Sequence, residues 1–244
     1  MRQNENVHTL FTYKVPQYLL SAGFAPSSTE GATSRICCTQ PRRIACISLS
    51  KRVAFETLGQ YGSTIAYQIR FEKTCTSQTR MLFLTEGLLL RQLSADPTLE
   101  AYKIIILDEI HERHMQGDLL LGLLRELIKR RDDLKLILMS ATINLELFTN
   151  YFEGAPVVKV PGRLHPIQLH YMPPPVGTDK LKADKIDPGP YMRILQMIDQ
   201  KFASSERGDM LIFLSGISEI TTVAEALKVY AEQCKRWIIL MLHR

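Results

Sequence analysis

The run KIIIL at positions 103–107 passes without a break into DEIHERH at 108–114. Three isoleucines and a leucine in succession leave no polar alternation, so a strand built from them needs cover on both faces. Other short apolar runs stand at 36–39, 65–69, 81–84 and 136–140, and again at 157–160, 167–171, 210–214 and 238–242, several of them also apolar on consecutive positions. Helical spacing fills several of the gaps. Ala45, Leu49, Val53, Phe55 and Leu58 mark one helix over 45–58. Leu119, Leu120, Leu123, Leu124, Leu127 and Ile128 mark another over 119–129, and 191–202 and 218–233 read likewise. Strands alternating with helices predict an α/β fold with a mostly parallel sheet. In such a sheet crossovers are right-handed, and ligands gather at the carboxyl ends of the strands.

Pro161, Gly162 and Pro166 punctuate the chain and predict two domains, 1–162 and 163–244. The second holds only three candidate strands and two helices, so a half-built sheet with an open edge is expected there. A net charge of +5 permits a polyanionic partner without requiring one. None of the five cysteines forms a C-x-x-C pair. That pattern argues against a zinc ribbon or a disulfide framework and for a reducing, intracellular setting, nuclear or cytoplasmic. No signal-peptide core of roughly 7–15 apolar residues opens the chain. No apolar run approaches the ~20 residues of a membrane span, so no membrane partner is expected.

Asp108 and Glu109 follow the most apolar of these strands directly. A hard cation such as Mg²⁺ takes oxygen ligands and keeps several waters, so Asp108 and Glu109 are candidate metal residues. The second carboxylate can orient or deprotonate a water. The same pair could instead cap the helix that follows, through its free N–H groups and dipole. HERH at 111–114 holds two histidines one residue too close for the zinc motif H-E-x-x-H, with no third ligand nearby. Other polar clusters also close strands: Thr39-Gln40-Pro41-Arg42-Arg43, Thr85-Glu86-Gly87 and Ser140-Ala141-Thr142. Arginine forks suit phosphate, and hydroxyls and glycine N–H groups can approach a sugar–phosphate chain closely.

In this order and at these strand ends, the clusters resemble the motifs of the DEAH-box RNA helicases of superfamily 2. TQPRR is similar to motif Ia, TEG to Ib, DEIH to II, SAT to III, and LIFLSG at 211–216 to IV. YQIRFE at 67–72, ERH at 112–114 and VPGRLHPI at 160–167 extend the resemblance over most of 35–244. Ile110 stands where the name-giving pattern has alanine. Within the family the chain resembles most the member linked to nonsense-mediated mRNA decay.

The resemblance implies two RecA-like domains, ATP with Mg²⁺ between them, and single-stranded RNA across the strand tips. It implies that Asp108 holds Mg²⁺ through water, that Glu109 activates the hydrolytic water, and that His111 couples the nucleotide to the second domain. Arg52 would stack on the adenine. Thr39, Arg42, Arg43, Arg70, Thr85 and Gly87 would contact RNA, and Ser140 and Thr142 would link hydrolysis to strand separation. A monomer is expected, with RNA-processing or mRNA-decay proteins as partners.

Two family features are missing from these residues. A phosphate loop reads G-x-x-x-x-G-K-[ST], because glycine N–H groups wrap the phosphates and lysine reaches the outer ones. Here the corresponding places, 7–13, read VHTLFTY, with Phe11 about where the lysine belongs and Lys14 out of register. Family motifs V and VI, the second of which supplies arginines for charge stabilisation, would lie beyond Arg244. The chain is therefore expected to be an incomplete second RecA-like domain joined to a first, inactive in ATP hydrolysis by itself. Three readings stay open: a piece of a helicase, an ATPase-dead module that binds RNA or helicase partners, or a fragment without function.

Overall fold

The computed structural model describes residues 7–25, 34–58, 62–141, 145–160, 166–171, 186–203, 205–206 and 208–243. The chain divides into two compact units at the Pro166–Ile167 junction.

The first unit follows the order α1 (Val7–Ser21), β1 (Arg35–Gln40), α2 (Arg43–Glu56), β2 (Ile65–Ile69), β3 (Glu72–Lys73), β4 (Met81–Thr85) and α3 (Glu86–Ala95). It continues with β5 (Tyr102–Leu107), a 3-10 turn (Ile110–Glu112), α4 (Met115–Ile128), β6 (Lys135–Leu138) and α5 (Leu145–Tyr151). The strands form one sheet in the order β3-β2-β4-β1-β5-β6. Every pairing is parallel except the antiparallel β2–β3 hairpin. The expected α/β fold with a mostly parallel sheet is present.

Consecutive apolar residues are explained by the two cores they feed. Ile36, Cys38, Met81, Phe83, Ile104 and Ile106 pack on one face with Tyr13 and Leu20 of α1 and Cys46, Val53 and Ala54 of α2. Their immediate neighbours Cys37, Leu82, Leu84, Ile105 and Leu107 pack on the other with Leu89 of α3 and Leu120, Leu124 and Leu127 of α4. Side chains alternate across a strand, so a sheet covered on both faces reads as unbroken hydrophobicity. Burial lifts the Cys46 thiol to about 12, and it holds Cys37 and Cys38 well above the ordinary thiol range too. Such thiols pack as small hydrophobes rather than as nucleophiles.

The second unit contains α6 (Gly189–Lys201) and α7 (Ile217–Cys234), joined by a core of Leu195, Val223 and Leu227. Segments 157–160, 167–171, 210–214 and 238–242, expected as strands, are not strands among the described residues. A strand exists only where a neighbour completes its hydrogen bonds, and no ladder pairs these segments among the described residues. Their side chains nevertheless keep a two-residue period at 210–214, where Met210, Ile212 and Leu214 pack on the helices. Helix boundaries also moved: α2 begins two residues before the expected Ala45, and α4 begins at Met115 rather than Leu119.

Candidate functional site on the strand-tip edge

Parallel pairing sends the carboxyl ends of β2, β4, β1, β5 and β6 to one edge. Gln40 lies opposite Thr85, Thr39 opposite Leu107, and Leu107 opposite Leu138. The residues after each strand therefore share that edge: Arg70 after β2, Thr85 and Gly87 at β4, Arg42 and Arg43 after β1, Asp108 to His111 after β5, and Ser140 after β6.

At its centre is Asp108, buried to 1% exposure. Gln40 Nε2 donates to its Oδ2 at 2.8 Å, and the Glu109 N–H donates to its Oδ1 at 2.9 Å. These bonds fix the carboxylate plane. Glu109 takes a left-handed backbone with φ 57° and ψ 33°. That region is uncommon for a residue with a side chain and collects at functional sites. The same turn is stitched to the end of β6, where the Ile110 N–H donates to the Met139 carbonyl and the Met139 N–H to the Leu107 carbonyl. His111 extends the stitch: the Ala141 N–H donates to its Nδ1 at 3.4 Å, and a Glu109 oxygen stands 3.5 Å from that same nitrogen.

Arginines border this centre. Arg42 and Arg43 are exposed, Arg42 reaching Glu112 at 3.2 Å and Arg43 donating to the Arg70 carbonyl at 3.4 Å. Glu112 also stands 3.3 Å from His114, whose other ring nitrogen is 3.9 Å from Glu86. Burial pushes the Glu86 carboxyl up, His114 opposes this, and Glu112 and Asp118 add to it. Gly87 serves a close approach. A Cβ there would fall 2.8 Å from Gln116 Oε1, while one at Gly117 would fall 2.8 Å from Glu86 Oε1. The first turns of α3 and α4 thus interlock through two glycines.

Two expected site residues lie elsewhere. Thr39 is buried, and its hydroxyl donates to the Ile106 carbonyl at 3.4 Å, so its side chain faces the sheet interior rather than the edge. Arg52 sits nine residues along α2 from Arg43, about 13 Å further at 1.5 Å per residue. It pairs with Glu56, and its guanidinium carbon lies 5.1 Å from the centre of the Tyr13 ring. Glu56 also accepts from Lys14 and Gln17. Burial alone would raise the Glu56 carboxyl, but these three donors outweigh it and hold it at about 2. Thr142 lies outside the described residues. Gln40, Glu86, Glu112 and His114 stand inside the sequence motifs but carry no expected site role of their own. Gln40 sits inside TQPRR, and only the adjacency of β1 and β5 shows what it does.

No family model matches the chain. Over 230 residues, 94% of its length, it is 55% identical to a mouse protein named probable ATP-dependent RNA helicase DHX34. It is 54% identical over the same span to the human protein of that name. The chain spans 19% of the length of each of these relatives. Over nearly all of its sequence, this chain is similar to one segment of a DEAH-box RNA helicase.

Proposed function

We propose that the strand-tip edge of the first unit binds the backbone of single-stranded RNA beside an acidic pair suited to Mg²⁺, as a segment of a DEAH-box ATP-dependent RNA helicase. The observation that carries this reading is the meeting of exposed Arg42, Arg43 and Arg70 with the fixed Asp108–Glu109 turn on one sheet edge. Thr85 and the N-terminal turn of α3 lie on the same edge. Guanidinium forks spread along such an edge match successive phosphates and read no bases, which gives affinity without sequence preference.

The donor set at Asp108 suits a magnesium–water complex. An ionised carboxylate has about four acceptor positions, and Gln40 and the Glu109 N–H use two. Mg²⁺ characteristically takes one or two carboxylates and keeps its waters. The ion would supply charge neutralisation and a polarised water. Asp108 would hold that water, Glu109 would orient it, and His111 would tie the turn to the Ser140–Ala141 segment. A triphosphate does not fit these residues in the same way. The sequence has no G-x-x-x-x-G-K-[ST], and 7–13 are helical in α1. We assign no ATP hydrolysis to these 244 residues by themselves. A monomer in an intracellular setting, with RNA-processing or mRNA-decay proteins as partners, completes the proposal.

Anisotropy of a labelled single-stranded oligouridylate, titrated at several salt concentrations, tests it. Three phosphate contacts predict a log–log salt slope of about −2. Arg42→Ala with Arg43→Ala weakens binding and flattens that slope by about 0.7 per arginine. Binding that ignores both salt and the double substitution refutes the RNA surface. Saturable Mg·ATP binding that disappears in Asp108→Asn refutes the assignment of no nucleotide chemistry to the chain alone.

A further inference from the structure

The β2–β3 hairpin turns through Arg70 and Phe71, between the paired residues Ile69 and Glu72. Two-residue hairpin turns favour glycine, asparagine or aspartate, because one or both positions need positive φ. Phe71 adopts φ 70° there, and its side chain is 91% exposed. The position therefore combines a backbone that bulky residues rarely adopt with a large ring gaining no burial. The hairpin holds this geometry firmly. The Tyr67 hydroxyl donates to the Glu72 carboxylate, the Tyr67 N–H donates to Thr74 Oγ1 at 3.1 Å, and the Thr74 N–H donates to the Tyr67 carbonyl at 3.0 Å. Arg43 ties the tip to the start of α2 through the Arg70 carbonyl.

We propose that Phe71 is a nucleobase-stacking residue at the end of the arginine-lined edge. This rests on the RNA reading of that edge and adds its first contact to a base. The Arg70 guanidinium lies 4.8 Å from the ring centre. A flat cation on an exposed aromatic ring, beside phosphate-binding arginines, has the composition of a single-strand stacking platform. The Arg43 bond to the Arg70 carbonyl puts this tip directly beside the arginines that would take the phosphates. Every base has a π-face, so the contact is indifferent to sequence but requires that a base be there.

The test uses the full chain and two probes of equal length: a labelled oligouridylate, and an abasic ribose–phosphate oligomer that keeps the phosphates and loses the bases. Phe71→Ala is expected to lose about 5- to 150-fold in affinity for the oligouridylate and to leave the abasic probe unchanged. Phe71→Trp retains oligouridylate binding, which separates loss of the ring from loss of the fold. Arg42→Ala with Arg43→Ala weakens both probes. Equal affinity of Phe71→Ala and wild type for oligouridylate overturns the proposal and leaves the ring to a protein partner. An equal loss on both probes also overturns it, since stacking cannot act on a strand without bases. Failure of the wild type to bind either probe overturns the RNA reading itself.

Discussion

Residues 104–107 and 210–214 are both short apolar runs, yet they end in different structural states. Ile105 and Ile106 lie wholly buried, with β1 on one side, β6 on the other and helices on both faces. In the second unit Met210, Ile212 and Leu214 rest on α6 and α7, while Leu211 and Phe213 are 73% and 85% exposed. Residues 237–242 repeat the pattern: Trp237 and Ile239 pack, and Ile238 and Leu240 do not. The first unit is stabilised through a doubly covered sheet. The second is stabilised through one apolar layer and one polar node. Hydrophobicity supplies the means for burial in both; the number of covered faces sets how much burial results.

The largest expected effect follows directly. Phe83 is fully buried between the first unit's strands and helices, whereas Phe213 is mostly in solvent. Phe83→Ala should cost about 3–5 kcal/mol. Phe213→Ala should change stability by no more than about 0.5 kcal/mol. Urea denaturation of the two variants decides it, and comparable losses would mean that the second unit buries more than one face.

Next in size is the polar node of the second unit. Asp199 accepts from the Tyr230 hydroxyl at 2.7 Å and the Trp237 indole at 3.0 Å, and pairs with Arg236 at 3.1 Å. Trp237 is the sole tryptophan of the chain, so its fluorescence reports this unit alone. Its unfolding midpoint should fall below the midpoint seen by far-ultraviolet circular dichroism, a signature of non-two-state behaviour. Asp199→Ala should lower the fluorescence transition by about 1–3 kcal/mol and leave the other transition in place. Coincident midpoints in the wild type would merge the two units into one cooperative body.

What the sequence revealed tracks the same contrast. Runs at 36–39, 81–84 and 104–107 were legible because burial on both faces removes polar alternation from the sequence itself. The edge was legible too, since parallel topology must carry 40–43, 85–87, 108–111 and 140 to one side. Helix α1 was not legible. Its valine, threonine and Pro16 are poor helix signals, and it is helical where Tyr13 and Leu20 find the α2 side of the sheet. The Gln40–Asp108 bond joins residues 68 positions apart and exists only because β1 and β5 are neighbours. Thr39 was misplaced because its hydroxyl bonds the Ile106 carbonyl, a partner that only the neighbouring β5 supplies. Segments 210–214 and 238–242 carried the unbroken apolar run of a buried strand, but hydrophobicity does not supply a pairing partner.

A smaller, pH-dependent effect belongs to the first unit. Glu56 titrates at about 2 when folded, against an ordinary value of 4.5. A depressed carboxyl binds fewer protons folded than unfolded, so its stabilisation is complete above 4.5 and declines as pH falls toward 2. The circular dichroism midpoint should fall through that window by the equivalent of about 1–2 kcal/mol. Glu56→Gln should remove this part of the pH dependence, while the Trp237 transition keeps its own profile. A variant as acid-sensitive as wild type would show that Lys14, Gln17 and Arg52 do not bind the carboxylate.

The smallest effect compares left-handed residues between the units. Lys235 closes α7 at φ 55°, and its N–H donates to the Ala231 carbonyl, so its conformation completes a helix end. Glycine is the preferred residue for that position. Phe71 has a similar φ at the hairpin tip, but its ring stays in solvent. Removing the side chain should relieve each backbone, so Lys235→Gly and Phe71→Gly should both stabilise by about 1 kcal/mol or less. Their consequences for oligouridylate binding should diverge: Lys235→Gly leaves affinity unchanged, and Phe71→Gly lowers it. Strain at Lys235 is accounted for by the helix it caps. Strain at Phe71 has no counterpart in packing, so a variant that is both more stable and weaker in binding identifies a conformation held for contact with a ligand. If Phe71→Gly destabilises instead, the hairpin itself needs the ring, and the contrast between the two positions disappears.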